Sequence, residues 1–228
     1  GHAKLPKNYI TIAVELLNET GAVNVGGVMA AEGTTSFERS VARAMRSPLG
    51  VGAAKFHTGG AAGEVDTVYL GVFKRDALIE VGGFDEHFTR AQDWELNYRL
   101  RSKGGKIFFD PRLTVTYRPR KSLLALAKQY FEYGRWRRVV TRTHKGTINY
   151  RYLAPPVTFL AVLISLIGSI LNSILIIPAA IYGAFLIIAA ISIGRGLLER
   201  IFLPFVLFTM QMSWGVGFLT SRKRLAKS

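Results

Sequence analysis

The stretch GGFDEHFTRAQDWELNYRLRSKGG, residues 82–105, decides the fold. Two glycines open it and two close it. The spacing predicts a helix that starts near Asp93 and stops at Gly104 and Gly105, with Lys103 in its last turn, where a cation meets the negative helix end. Ahead of it, Gly82 and Gly83 permit positive φ and a close backbone approach. Asp93 falls in the first turn, where free N–H groups and the helix dipole favour the ionised carboxylate. Two readings follow: a capping residue that stabilises the helix by roughly 1 kcal/mol, or a general base, provided that a substrate hydroxyl reaches it.

Working outward, helix-like and strand-like segments alternate, which argues for an α/β sheet with helices packed on it. Pro6 and NYITIAVELLNETG read as a helix that Gly21 stops, and VNVGGVM (residues 23–29) reads as a short strand. Thr35 with Glu38 makes a capping box for a helix that runs to Met45, with Pro48 beyond its end. GVGAAKFHTGGAAG, residues 50–63, resembles a phosphate-cradling loop, but no strand leads into it, and a substrate-side loop is the favoured reading. A strand over residues 65–73 and a short helix over residues 76–81 lead into the glycine turn. After the helix come two short strands, KIFFD and LTVTYR, separated by Asp110 and Pro111.

Charge divides the chain further. The 43 residues between Arg151 and Arg195 carry no charged side chain, and a helix needs roughly 20 apolar residues to cross a bilayer, so two crossings fit. Asn172 and Ser173 mark the turn between spans near residues 153–171 and 174–193. A third apolar segment, residues 201–219, ends before Arg222, Lys223, Arg224 and Lys227. A crossing there would put these cations outside, so a re-entrant or interfacial course is preferred to a span. Of the net charge of +15, ten Lys or Arg against the single Glu132 lie between Arg118 and Arg151, directly before the apolar run. That position favours anionic lipid headgroups over nucleic acid, for which no recognition motif is present. Around it, residues 123–134 repeat apolar side chains at helical spacing, as in an in-plane interfacial helix. The chain has no cysteine, which excludes disulfides and thiolate metal sites.

The order of GGFDE, Asp93 in an xDxEL pattern, a glycine stop, a strand, and an aromatic and arginine segment before apolar helices resembles the family 2 glycosyltransferases of the GT-A type. Within that family the chain is most similar to membrane-anchored bacterial enzymes such as the succinoglycan-biosynthesis glucosyltransferases, through GEVDTVYLGVFKRD, GGFDEHFTRAQDWELNYRLR and KQYFEYGRW. The resemblance covers most of the chain. It implies that residues 1–118 are the acceptor-side, C-terminal half of a Rossmann-like GT-A domain, residues 119–150 an interfacial helix and basic linker, and residues 151–228 a membrane region. It further implies an inverting transfer of a hexose at the cytoplasmic face of the cell membrane, from a nucleotide-sugar such as a UDP-hexose to a polyprenyl-linked or glycan acceptor, with Mg2+ or Mn2+ at the diphosphate.

In that family the Asp of a Glu-Asp pair is the base. Asp93 matches it, and Gln92 stands where the Glu usually is. By the same resemblance Gly83, Phe84, Asp85, Glu86 and Gln92 line the acceptor side; for Asp85 and Glu86 a solvated turn is the alternative. Gln129, Arg135 and Trp136 resemble a lengthened Gln-x-x-Arg-Trp motif by which processive relatives hold acceptor and nucleotide diphosphate, and the longer spacing favours single-sugar addition. The relatives have roughly Asp-x-His-Ala at the metal, which would make His2 metal-proximal and place the nucleotide-binding half upstream of Gly1; alternatively Gly1 and His2 are a cloning scar. The competing reading is a non-catalytic membrane scaffold or assembly subunit, with Asp93 only a cap.

Overall fold

The computed structural model describes residues 3–52 and 54–226 and falls into two units. One comprises Gly1–Glu32 and Met45–Pro119, the other Gly33–Ala44 and Arg120–Ser228. An α/β sheet unit is therefore followed by a helical one, with one short early segment grouped with the helices.

In the first unit β1 (Ala3–Lys4), β2 (Asn24–Ala31), β3 (Gly63–Glu64), β4 (Tyr69–Phe73) and β5 (Ile107–Tyr117) form a mixed sheet in the order β1-β5-β2-β4, with β3 also paired to β5. β2 runs parallel to β5 and antiparallel to β4. Flanked on both sides, β2 is buried at all but one of its eight residues, which explains its unbroken apolar reading. Side chains alternate across β5. Phe108 joins the layer under α1 (Tyr9–Thr20), with Tyr9, Ala13 and Leu16, whereas Ile107 and Phe109 join the opposite layer with Leu96 and Leu100 of α6 (Gln92–Ser102). α5 (Arg75–Glu80) adds Ala77 and Leu78 to that second layer.

One expectation is corrected here. KIFFD and LTVTYR are not two strands but the two ends of β5, joined by a bulge. Its register against β2 advances from Gly26↔Phe109 to Val28↔Thr114. The Asp110 carboxylate holds the extra residues by accepting from the Arg112 backbone N–H at 2.8 Å and from its guanidinium at 3.0 and 3.1 Å. Gly27 is required opposite, since a Cβ there would lie 2.1 Å from the Leu113 carbonyl oxygen.

The stretch after β2 carries α2 (Ser36–Met45), and the predicted capping box is present: the Glu38 N–H donates to Thr35 Oγ1 and the Thr35 N–H to Glu38 Oε2. Pro48, expected only beyond a helix end, opens a single-turn helix α3 (Pro48–Val51), with Ser47 as its cap. Another single turn, α4 (Lys55–Thr58), follows.

The second unit consists of residues 33–44, α7 (Leu123–Thr143), α8 (Tyr150–Gly168), α9 (Ile177–Ile193) and α10 (Leu197–Thr220). A short 3-10 turn at Ser173–Ile176, capped by Asn172, joins α8 to α9 at the predicted position. Ser165 Oγ ties the two helices by donating to the Leu175 carbonyl at 2.5 Å and accepting from the Ala179 N–H at 3.1 Å, which satisfies polar groups among apolar surroundings. Among the described residues, three helical segments are long and apolar enough to cross a membrane: Tyr150–Gly168, Ser173–Ile193 and Leu197–Thr220.

α10 differs from the other two. Its apolar window is 44 % buried, against 11 % and 17 %. It is one continuous helix despite Pro204. It runs parallel to α7 at close range: a Cβ on Gly134 would lie 2.0 Å from the Trp214 carbonyl oxygen, and one on Gly217 2.0 Å from that of Phe131. Further along, Ser221 Oγ donates to the Arg135 carbonyl, and Arg142 donates to the Ser221 carbonyl. Accordingly Gly134→Ala should lower the unfolding stability in detergent by about 1–3 kcal/mol through overpacking. Gly183→Ala, in open space on α9, is the control, and equal melting temperatures for the two would refute the contact.

Candidate functional site

The glycine turn is built as its sequence requires, with Gly82 at φ 75° and Gly83 at φ 69°. Asp85 Oδ1 then accepts from the His87 N–H at 3.0 Å, and Phe84 stays half exposed, its ring edge-on to Phe73 at 6.1 Å. Glu86 is exposed. The chain enters α6 through Ala91, whose φ of 61° is a left-handed conformation that non-glycine residues seldom adopt.

Asp93 therefore stands in the first turn of α6 but does not cap it. Ala91 is the N-cap, no side chain closes the helix start, and among the described residues the Asp93 carboxylate makes neither a hydrogen bond nor an ion pair. It is exposed to solvent, yet desolvation by the surrounding protein pushes its pKa above the ordinary 3.8. An accessible carboxyl in crowded surroundings, left without a protein partner, is costly for stability and suited to meeting a ligand. Gln92, beside it, is half buried.

Two groups of α6 that carry no predicted site role hold this geometry. Glu95, nearly fully buried, forms a bidentate pair with Arg99, Nε and Nη2 each at 2.8 Å from its two oxygens. The same guanidinium donates to the Val81 carbonyl at 2.5 Å and the Gly83 carbonyl at 2.8 Å. One side-chain pair thus fastens the glycine turn to α6. Its signal in sequence was the i,i+4 spacing of opposite charges. Beneath it, buried Asn97 accepts from Asn24 Nδ2 at 2.7 Å and donates to Thr67 Oγ1 at 2.9 Å. Although four residues from Asp93, Asn97 faces the sheet; nothing in the local pattern distinguishes the two.

The predicted site residues of the first unit, Gly83, Phe84, Asp85, Glu86, Gln92 and Asp93, thus lie on one short segment. The other three, all on α7, belong to the second unit. Gln129 is buried, accepting from Arg120 Nε at 3.2 Å and donating to the Tyr133 hydroxyl at 2.7 Å. Trp136 is only 5 % exposed and donates its indole N–H to Glu132 at 3.2 Å, while Arg135 donates to the other Glu132 oxygen at 3.1 Å. The Trp136 ring is thus packed inside its unit rather than presented as a platform. His2 lies outside the described residues. Among the described residues no three His, Cys, Asp or Glu side chains gather as a metal would need.

The structure is thus a mixed α/β sheet unit with an accessible carboxylate at a helix start, followed by helices long and apolar enough to span a membrane, and two relatives bear on its class. Over 241 aligned residues, 99 % of this chain and 70 % of the relative, the chain is 29 % identical to the succinoglycan biosynthesis protein ExoA of Rhizobium meliloti (strain 1021). Over 84 residues, 37 % of this chain and 25 % of the relative, it is 34 % identical to the dolichyl N-acetyl-alpha-D-glucosaminyl phosphate 3-beta-D-2,3-diacetamido-2,3-dideoxy-beta-D-glucuronosyltransferase of Methanococcus voltae. No family model matches the chain. These likenesses, to a polysaccharide-biosynthesis protein and to a sugar transferase, support a glycosyltransferase that carries helices apolar and long enough to cross a membrane.

Removal of the Glu95 carboxylate leaves Arg99 without its anion. Glu95→Ala should therefore cost about 3 kcal/mol of stability in the sheet unit and speed amide exchange across residues 82–92. Unchanged exchange in that segment would show that the pair does not hold the turn.

Proposed function

We propose that this chain is the acceptor-side and membrane part of an inverting hexosyltransferase, with Asp93 as its general base. The observation that carries this reading is the state of Asp93: water-accessible, unpartnered among the described residues, raised in pKa by desolvation, and fixed on a helix start by the Glu95–Arg99 pair. In the proposed step an acceptor hydroxyl donates its proton to an Asp93 oxygen as the hydroxyl oxygen forms a bond to the anomeric carbon. The bond from that carbon to the donor's phosphate oxygen breaks on the opposite face, and the configuration inverts. Gly83, Phe84, Asp85, Glu86 and Gln92 form the acceptor side. The leaving nucleoside diphosphate and a divalent metal, Mg2+ or Mn2+, would require residues beyond those described, and no step above depends on that metal.

The acceptor is proposed to be a polyprenyl-linked sugar at the cytoplasmic face. The name of the archaeal relative specifies a dolichyl phosphate-linked sugar, which supports a lipid acceptor, and that of the bacterial relative supports polysaccharide assembly. The basic residues of α7 support the orientation, since they suit the anionic cytoplasmic leaflet. They also bear on α10. Because α10 lies alongside a helix carrying Lys128, Arg135, Arg137, Arg138 and Arg142, full insertion would draw those cations towards hydrocarbon, so α10 is proposed to lie at the interface.

Asp93→Asn should lower turnover by a factor on the order of 100 to 10,000. Its stability should hold or rise near neutral pH: a carboxyl whose folded pKa is raised loses stability as pH climbs from the unfolded pKa through the folded one, and the amide has no such loss. The wild-type acid limb of kcat/KM should lie above the ordinary 3.8 and vanish in the variant; normal turnover of Asp93→Asn would remove the base assignment. The course of α10 is checked separately. The chain lacks cysteine, so single cysteines at exposed Ile148 and Lys223 give clean labels. An interfacial α10 predicts that both react with an impermeant thiol reagent from the same membrane side, and reaction from opposite sides would establish a crossing.

A further inference from the structure

A groove of about 480 Å³ opens on the second unit, lined by Phe37 of α2, Lys121, Leu123 of α7, and Ile201, Phe202 and Phe205 of α10. Of the seven lining residues, Ser122 being the seventh, five have large apolar side chains. Leu123, Ile201 and Phe205 stay 41 %, 50 % and 59 % exposed, so the groove is left open along its length.

Its walls are braced from behind. Glu199, in the first turn of α10, accepts from Arg39 Nε at 3.2 Å, from Arg43 Nε at 3.4 Å and from the Arg195 N–H at 3.1 Å, while Ser40 Oγ donates to the Glu199 carbonyl at 3.3 Å. This mooring sets Phe37 edge-on to Phe202, with ring centroids 5.9 Å apart. Lys121 supplies the charge. The nearby Glu38 carboxyl is held down to about 2, first by Thr34 and Thr35 and last by the Lys121 charge. It stays ionised, but the threonines occupy it. Lys121 itself is exposed and, among the described residues, has neither a hydrogen bond nor an ion pair.

We propose that this groove holds the proximal isoprenoid units of the lipid-diphosphate acceptor, with Lys121 facing the diphosphate. This rests on the lipid-linked acceptor reading above and adds to it where on the chain the lipid sits. The chemistry matches at both ends: an aromatic and aliphatic trough for an uncharged branched chain, and one exposed cation at its mouth for phosphate. The groove lies on the opening turns of α10, where Arg195 and Arg200 mark the polar boundary, so a ligand there places its phosphate in water and its chain among apolar side chains.

The test uses the full chain in phosphatidylcholine nanodiscs with a polyprenyl diphosphate bearing a diazirine near its head. Labelling should map to peptides containing residue 37, residues 121–123 and residues 201–205, and unlabelled polyprenyl diphosphate should compete it away while phosphatidylglycerol and inorganic pyrophosphate do not. Lys121→Glu should cut the yield about tenfold, whereas Lys128→Glu, an exposed cation on α7, should not. Equal competition by phosphatidylglycerol would make the groove an ordinary lipid contact; competition by pyrophosphate would make it an anion site; labelling confined to other peptides would remove it altogether. Labelling is read without turnover. An active Asp93→Asn enzyme would thus sink the base assignment and leave the groove standing, while failed labelling would leave the base assignment untouched.

Discussion

The bidentate contact between Glu95 and Arg99 ties three stretches of chain that would otherwise move separately: the end of α5 at Val81, the glycine turn at Gly83, and the first turn of α6. A turn containing two glycines in the left-handed region gains backbone freedom whenever it is released. The guanidinium opposes this with two carbonyl contacts, and the buried carboxylate keeps the guanidinium in place. Neither partner is stable there without the other, because an unpaired charge at that depth is expensive. The position of Asp93, two residues before Glu95 on the same helix, is a consequence of that arrangement.

Asp93 and Glu95 show how the same side chain is put to opposite uses within one turn. Glu95 points inward, is fully engaged, and serves structure. Asp93 points outward, is engaged by no described residue, and pays for its crowded surroundings with a raised pKa. A carboxylate placed merely to stabilise the helix would take the free N–H groups at its start, as Ser122 does for α7 and Asn149 for α8. That Asp93 leaves them alone, beside a strained Ala91, separates it from the capping residues of this same chain.

In the helical unit the controlling constraint is the cost of charge near hydrocarbon. Apolar pattern alone treats α8, α9 and α10 alike. Glycines at 134 and 217 let α7 and α10 come together at backbone distance, so α10 lies beside a helix rich in arginine. Glu199 then finds two arginines of α2, and this brings residues 33–44 into the helical unit. Burial of so many charged groups is tolerable only because each carboxylate has several donors.

Much of this was written locally. The 43-residue uncharged run, the turn at Asn172, the capping box of Thr35 and Glu38, and the glycine-bounded helix with Asp93 in its first turn all rest on interactions within a few residues, so the sequence by itself determined them. Local pattern misplaced β5, because Asp110 closing on Arg112 turns an apparent break into a bulge that only a paired strand can stabilise. It also left Trp136 and Gln129 as candidate surface groups, since burial of a helix face is decided by what lies against it in the folded chain. Which carboxylate is held and which is free, where Arg99 reaches, and what α10 touches are settled by contacts between distant segments, and those exist only once the chain has folded.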